Sequence, residues 1–160
     1  VSIKEWTMLM ERRYIKSYMP KIEHYTDAYQ KLNYTASQAI SMGNGKDVIL
    51  KSKDEYNAYL DELFEMAKYD YQKEQITAAR DSYSEAFFEE NALIITKMLF
   101  RGSGSIKLTV DNLYVSNNAV YVVVRTDEPA LGTADLLQKS FSFIVAKSDV
   151  ANIDSVVTLD

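Results

Sequence analysis

A chain of 160 residues with 47% hydrophobic and 26% charged side chains is long enough for one well-filled core and short for two. Its net charge of −5, from 18 Lys plus Arg against 23 Asp plus Glu, would repel a phosphate backbone, so no nucleic acid is expected as a partner. The absence of cysteine removes thiolate catalysis, thiolate zinc sites and disulfide staples together, and a single histidine cannot build a multi-imidazole metal centre, so no cofactor is expected.

Val1 heads the chain in place of Met, which fits either a trimmed chain or a mature product whose leader has been removed. Twelve Tyr, many Asn and Ser, and no Cys suit the outside of a Gram-positive cell. From Val1 to Tyr18 the apolar residues Ile3, Trp6, Met8, Leu9, Met10, Tyr14 and Ile15 fit strand alternation around Trp6 to Met10 and a helical stripe equally well. We read this stretch as irregular with one strand, ended by Pro20, whose ring fixes φ and removes a donor. The polar, Tyr-rich stretch up to Lys46 reads as an irregular or partly helical excursion, with a turn signal at Met42-Gly43-Asn44-Gly45.

Val48-Ile49-Leu50 is a short apolar run, and Ser52 with Glu55 forms the S-x-x-E box that supplies partners for the orphan amides of a starting helix. Tyr56, Tyr59, Leu60, Leu63 and Phe64 then recur at helical spacing, giving one stripe able to dock on a sheet. Lys68 to Arg80 reads as a polar linker, and Phe87-Phe88 anchors a short turn of helix between Asp81 and Asn91. Beyond Asn91 the pattern is that of strands. Leu93 to Phe100 is β-suited; Ile106, Leu108 and Val110 alternate with polar residues; Asn117-Asn118 predicts a hairpin turn before Val120 to Val124. Phe141, Phe143 and Val145 predict another strand, and Ile153 to Leu159 a final edge strand. The run Ala92 to Ile95, continued by Met98 to Phe100, is broken by Lys97 and too short to span a bilayer. The expectation is a single α+β domain: an N-terminal segment over 1–46, a strand plus helices over 47–91, and a mainly antiparallel sheet over 92–160 with one or two helices packed on it.

Three short motifs then carry a resemblance. Phe87-Phe88-Glu89 before Ala92-Leu93-Ile94-Ile95, Gly102-Ser103-Gly104-Ser105-Ile106, and Pro129-Ala130-Leu131-Gly132-Thr133-Ala134-Asp135 together resemble the extracellular lipoprotein domains of Firmicutes grouped as PrcB-like, after the C-terminal domain of protease-complex accessory lipoproteins. Trp6 with Tyr14-Ile15, and Val48-Ile49 leading into Ser52-Lys53-Asp54-Glu55-Tyr56, resemble that group's first strand and its strand-to-helix step. The resemblance implies an exported protein tethered by a lipid anchor on a cysteine upstream of Val1, which assists or binds another cell-envelope protein. Where similar domains carry an aromatic-His pair after the Gly-Thr-x-Asp motif, this chain has Lys139-Ser140-Phe141, so any role resting on that histidine is lost. The protease-stabilising role of a remote part of the grouping transfers only as analogy at the level of fold.

Candidate site residues are few. Gly102, Ser103, Gly104 and Ser105 form either a nest whose amides converge on an anion or, more plainly, a turn whose glycines supply φ values that other residues resist. The loop lacks the ending of a nucleotide-binding loop and the order of a nucleophile elbow, and Ser103 or Ser105 as nucleophile would need a base. His24 lies in a polar run where a surface imidazole is the default. Asp111-Asn112 and Asp127-Glu128 read as turn residues, and Glu89-Glu90 and Asp61-Glu62 as solvated charge, since adjacent helical positions point apart. Tyr18, Tyr25, Tyr29 and Tyr34 read as half-buried packing, or as a sugar-stacking or partner-binding surface. The expected function is a non-catalytic cell-surface interaction domain that binds through Gly102 to Ser105 together with Pro129, Gly132, Thr133 and Asp135. The competing expectation is a small-ligand or cell-wall glycan binding module using the Tyr-rich segment, and a hydrolase is third.

Overall fold

The computed structural model describes residues 30–37, 45–116 and 118–160. Expectations for Trp6 to Met10, Pro20, His24, Tyr18, Tyr25, Tyr29 and Met42 to Asn44 lie outside the described residues. The described chain is α+β and mainly sheet, with ten strands and three helices rather than one or two. Strands β1 (Gln30–Lys31), β6 (Lys107–Ser116), β7 (Ala119–Asp127) and β10 (Ser155–Leu159) form one sheet in that order. Strands β2 (Thr35–Ser37), β9 (Ser142–Ala146), β4 (Asn91–Ile95) and β3 (Val48–Leu50) form a second, and β5 (Leu99–Arg101) pairs with β8 (Leu137–Lys139) as a ribbon. The described part of 1–46 is therefore extended and paired, not helical: β1 joins Tyr114 and Val115, and β2 joins β9.

The two four-stranded sheets face each other. Ala92, Ile94, Phe143 and Val145 from one, and Leu108, Leu113, Val120, Val122 and Val124 from the other, fill the space between them with Leu32 and Val156. Alternation along β4 sends Leu93 and Ile95 the other way, into a second core with Leu50, Tyr56, Tyr59, Leu60, Leu63, Ile76 and Phe88. The layers are thus helices, sheet and sheet.

Helix α1 (Lys53–Met66) starts where the S-x-x-E box places it, with the Glu55 amide donating to Ser52 Oγ at 3.1 Å. The Glu55 carboxylate accepts instead from the Lys51 amide, one residue before the cap. Tyr56 OH donates to the Ala79 carbonyl at 2.6 Å, and burial pushes its pKa up to about 12. The expected linker contains helix α2 (Asp70–Ala79), whose first turn is tied by Gln72 Oε1 accepting from the Lys68 and Tyr69 amides. It buries only Ile76, so no apolar stripe announces it. Helix α3 (Glu85–Glu90) is the expected short anchor, capped by Ser84 and burying Phe88.

The stretch Leu93 to Phe100 is two strands, not one. Thr96 bonds Phe141 through both its amide and its hydroxyl, and the chain then leaves the sheet for the ribbon. Ser116 pairs with Ala119, leaving 117–118 as the expected two-residue hairpin connection. Strand β10 is an edge, as expected, but runs parallel to β7.

One carboxylate fastens that edge. Asp47, just before β3, accepts from the Lys97 amide at 2.8 Å, the Thr158 amide at 3.1 Å and the Thr158 hydroxyl at 2.6 Å, joining β10 to the opposite sheet. Asp47→Ala leaves two amides and a hydroxyl without that acceptor, and we expect it to lower stability by about 2 kcal/mol, read as a fall in the urea midpoint.

Candidate functional site

Strand pairing alone brings the two nominated loops together. Lys107 starts β6 opposite Asp127, the end of β7, while Arg101 ends β5 opposite Leu137, the start of β8. The connections 102–106 and 128–136 therefore run in opposite directions between the same two pairs of neighbouring strand ends. Arg101 steadies this end through an ion pair with Asp160 at 2.7 Å and a hydrogen bond to Thr126 Oγ1.

Between the loops the chain makes a dense polar clasp. Ser103, which is buried, places its Oγ 2.8 Å from Ser105 Oγ and 3.1 Å from Thr133 Oγ1, and accepts from the Thr133 amide at 2.7 Å. The Ser105 amide donates to Thr133 Oγ1 at 3.2 Å, and the Gly104 amide donates to Asp135 Oδ1 at 3.2 Å. The Thr133 hydroxyl, then the amides of Asp135 itself and Gly104, hold the Asp135 carboxyl below its ordinary range. Each hydroxyl has one proton to give. The contacts of Ser103 with Ser105 and with Thr133 can each be donated from either side.

The glycine loop is the expected turn between two strands, closed by the Ile106 amide donating to the Ser103 carbonyl, but the reason for its glycines is not the expected one. Neither Gly102 nor Gly104 has positive φ; among the described glycines only Gly45 does, at 77°. Gly104 is required by proximity instead, since a Cβ there would sit 2.0 Å from Asp135 Oδ2. The amide of Gly104 does meet an anion, but the anion is the chain's own Asp135. A Cβ on Gly132 would lie 3.2 Å from Ser103 Oγ, while Gly102 and Pro129 are exposed and stand outside the clasp bonds.

What the sequence reading missed is the apolar rim. Leu131 is 87% exposed, Leu136 71% and Phe100 60%. Phe100 lies opposite Gln138 on the ribbon, and Leu136, two residues before Gln138, shares its outward phase. Beside them a groove of about 320 Å³ runs between β6 and β8, lined by Ile106, Leu108, Leu137 and the stems of Lys107 and Lys139. The signal was the position of Leu131 inside a motif of turn residues, where no core requires a leucine.

The other candidates separate from this place. Asp111 and Asp127 are not turn residues: Asp111 is the extra residue at a bulge in β6, Asp127 ends β7, and both meet Arg125, at 3.5 and 3.2 Å. Asp61 pairs with Arg80. Tyr34 is half-packed, edge-on to Phe143 at 5.1 Å. No family model matches the chain, and neither a curated protein nor a solved structure does.

Because the atoms that crowd Gly104 belong to a side chain that can swing away, Gly104→Ala is expected to expel Asp135 without unfolding the sheets. It should raise amide exchange at Ser105 and Thr133 as much as Asp135→Ala does, and the double variant should add nothing further. The folded pKa of Asp135 lies below its ordinary 3.8. Its contribution to the clasp is therefore present above that value and lost as pH falls through the depressed one. A titration of the Gly104 amide proton should show this acid transition, and Asp135→Asn should remove it.

Proposed function

We propose that this chain is a non-catalytic interaction domain that docks another protein of the cell envelope through the clasped loops and their apolar rim. The observation that carries the reading is the exposure of Leu131, Leu136 and Phe100 on a framework fixed by hydrogen bonds. Burying a side chain of this kind against a partner is worth about 1.5–3 kcal/mol, and a pre-bonded loop loses little freedom on binding. The hydroxyls of Ser103 and Ser105 are engaged with each other and with Thr133, which suits a structural role for them. In this reading the domain belongs to an exported lipoprotein of a Gram-positive bacterium, held by a lipidated cysteine upstream of Val1. The PrcB-like motifs and the cysteine-free, tyrosine-rich composition support that address, and no helix among the described residues is long and apolar enough to cross a membrane.

A photo-crosslinking side chain at Leu131, tested in an envelope fraction, should give a discrete protein adduct that the same probe at Asp54, on the helical side, does not. Leu136→Ser with Phe100→Ser should reduce the adduct by about tenfold, a loss of about 1.4 kcal/mol of binding, with the urea midpoint nearly unchanged. Equal adducts from both probe positions, or an adduct indifferent to the rim substitutions, would remove the basis for this function.

A further inference from the structure

The corner between α1 and α2 carries a second exposed cluster, remote in the fold from the clasp. Tyr69 and Tyr71 are 60% and 59% exposed, and their rings lie 11° from parallel with centroids 5.8 Å apart. Met66, the last residue of α1, is 54% exposed. The backbone beneath is fixed, because Gln72 Oε1 ties the Lys68 and Tyr69 amides at 3.0 and 3.2 Å. Two large rings held in register with their faces in water offer a flat surface for a flat group.

The charges around the pair decide which group. Asp70 sits between the two tyrosines, Glu74 follows Tyr71 by one helical turn, and Glu65 precedes Met66. None of these three carboxylates has a hydrogen-bond or ion-pair partner among the described residues. Lys73 lies over the Phe64 ring at 5.3 Å, directed away from the carboxylates by that contact, and between residues 65 and 75 three carboxylates stand against two lysines, an acidic excess. Aromatic faces and uncompensated carboxylates both attract a cation. A guanidinium satisfies both at once, since its plane stacks on a ring while its N–H fork donates to a carboxylate. A neutral pyranose would stack but leave the charge unanswered, and an anionic polymer would be repelled.

We propose that Tyr69, Tyr71 and Met66, with Glu65 and Glu74, form a docking surface for an arginine-bearing basic segment of a partner protein. This is independent of the clasp and stands whether or not the clasp binds anything.

The test uses the full chain and three probes: a short peptide with arginines spaced by Gly and Ser, its lysine counterpart, and a chitin trisaccharide. The arginine peptide should shift the Tyr69 and Tyr71 ring resonances, bind less tightly as salt rises, and bind more tightly than the lysine peptide. Tyr69→Ala and Tyr71→Ala should each weaken it by about threefold, and Glu74→Gln should weaken it as well. These side chains are exposed, so the thermal midpoint should stay in place and serve as the folding control. Unmoved ring resonances would overturn the proposal. So would equal binding by the lysine peptide, undiminished binding by the two tyrosine variants, or ring shifts caused by the trisaccharide alone.

Discussion

Strand β4 is buried on both of its faces, and the other layers are arranged around that fact. Leu93 and Ile95 reach the helices, while Ala92 and Ile94 reach the second sheet. A strand with water on one face would need polar residues at every second position, and Ala92 to Ile95 has none. Neither core is complete without it: β4 supplies Leu93 and Ile95 beside Leu50 under the stripe of α1, and Ala92 and Ile94 beside Phe143 and Val145 opposite the valines of β7. Fully burying side chains of this size contributes about 1.5–3 kcal/mol each, so this short segment couples two hydrophobic clusters into one cooperative unit.

Leaving β4 has consequences for the site. Thr96 is still fully buried, and its polar groups are met within the fold; the chain leaves the buried position only at Lys97. Thr96 is accommodated by Phe141 and the Lys97 amide by Asp47, which turns the backbone out toward the ribbon. The ribbon buries Leu99 and packs Leu137 on the core, but its other side faces water. The loops at its end lie beyond the cores and are held by hydrogen bonds. A clasp of hydroxyls, amides and one carboxylate gives them definition that burial does not supply.

The readable parts of the sequence were those with a local cause. The helix α1 announces itself through Ser52, Glu55 and a stripe of five residues, and the 117–118 hairpin through two asparagines between apolar runs. Helix α2 was illegible because burying Ile76 alone produces no period. The break between β4 and β5 was hidden because the partner that causes it, Phe141, is 45 residues away. Parallel pairing of β10 leaves no mark either, since side chains alternate the same way in both directions. The bulge in β6 did leave one: the inward positions pass from Leu108 and Val110 to Leu113 and Val115, a change of phase that one extra residue, Asp111, accounts for. As for the site, both loops were nominated from composition, yet their union follows from strand pairing, and the reason for Gly104 is the approach of Asp135 rather than backbone conformation.

The hydrogen bonds of the clasp bear on what it is suited to do. A serine nucleophile requires a neighbour that withdraws its proton toward a group able to hold it. Here Ser103 and Ser105 bond each other and Thr133, and the Asp135 carboxylate beside them accepts from the Gly104 amide. The same carboxylate bonds the Gly104 amide that an external anion would use, and displacing it would cost the Thr133 hydrogen bond as well. The groups that remain uncommitted at this end are Leu131, Leu136 and Phe100. They present apolar area to water from loops whose backbone is already fixed by hydrogen bonds, so covering them would leave little to order.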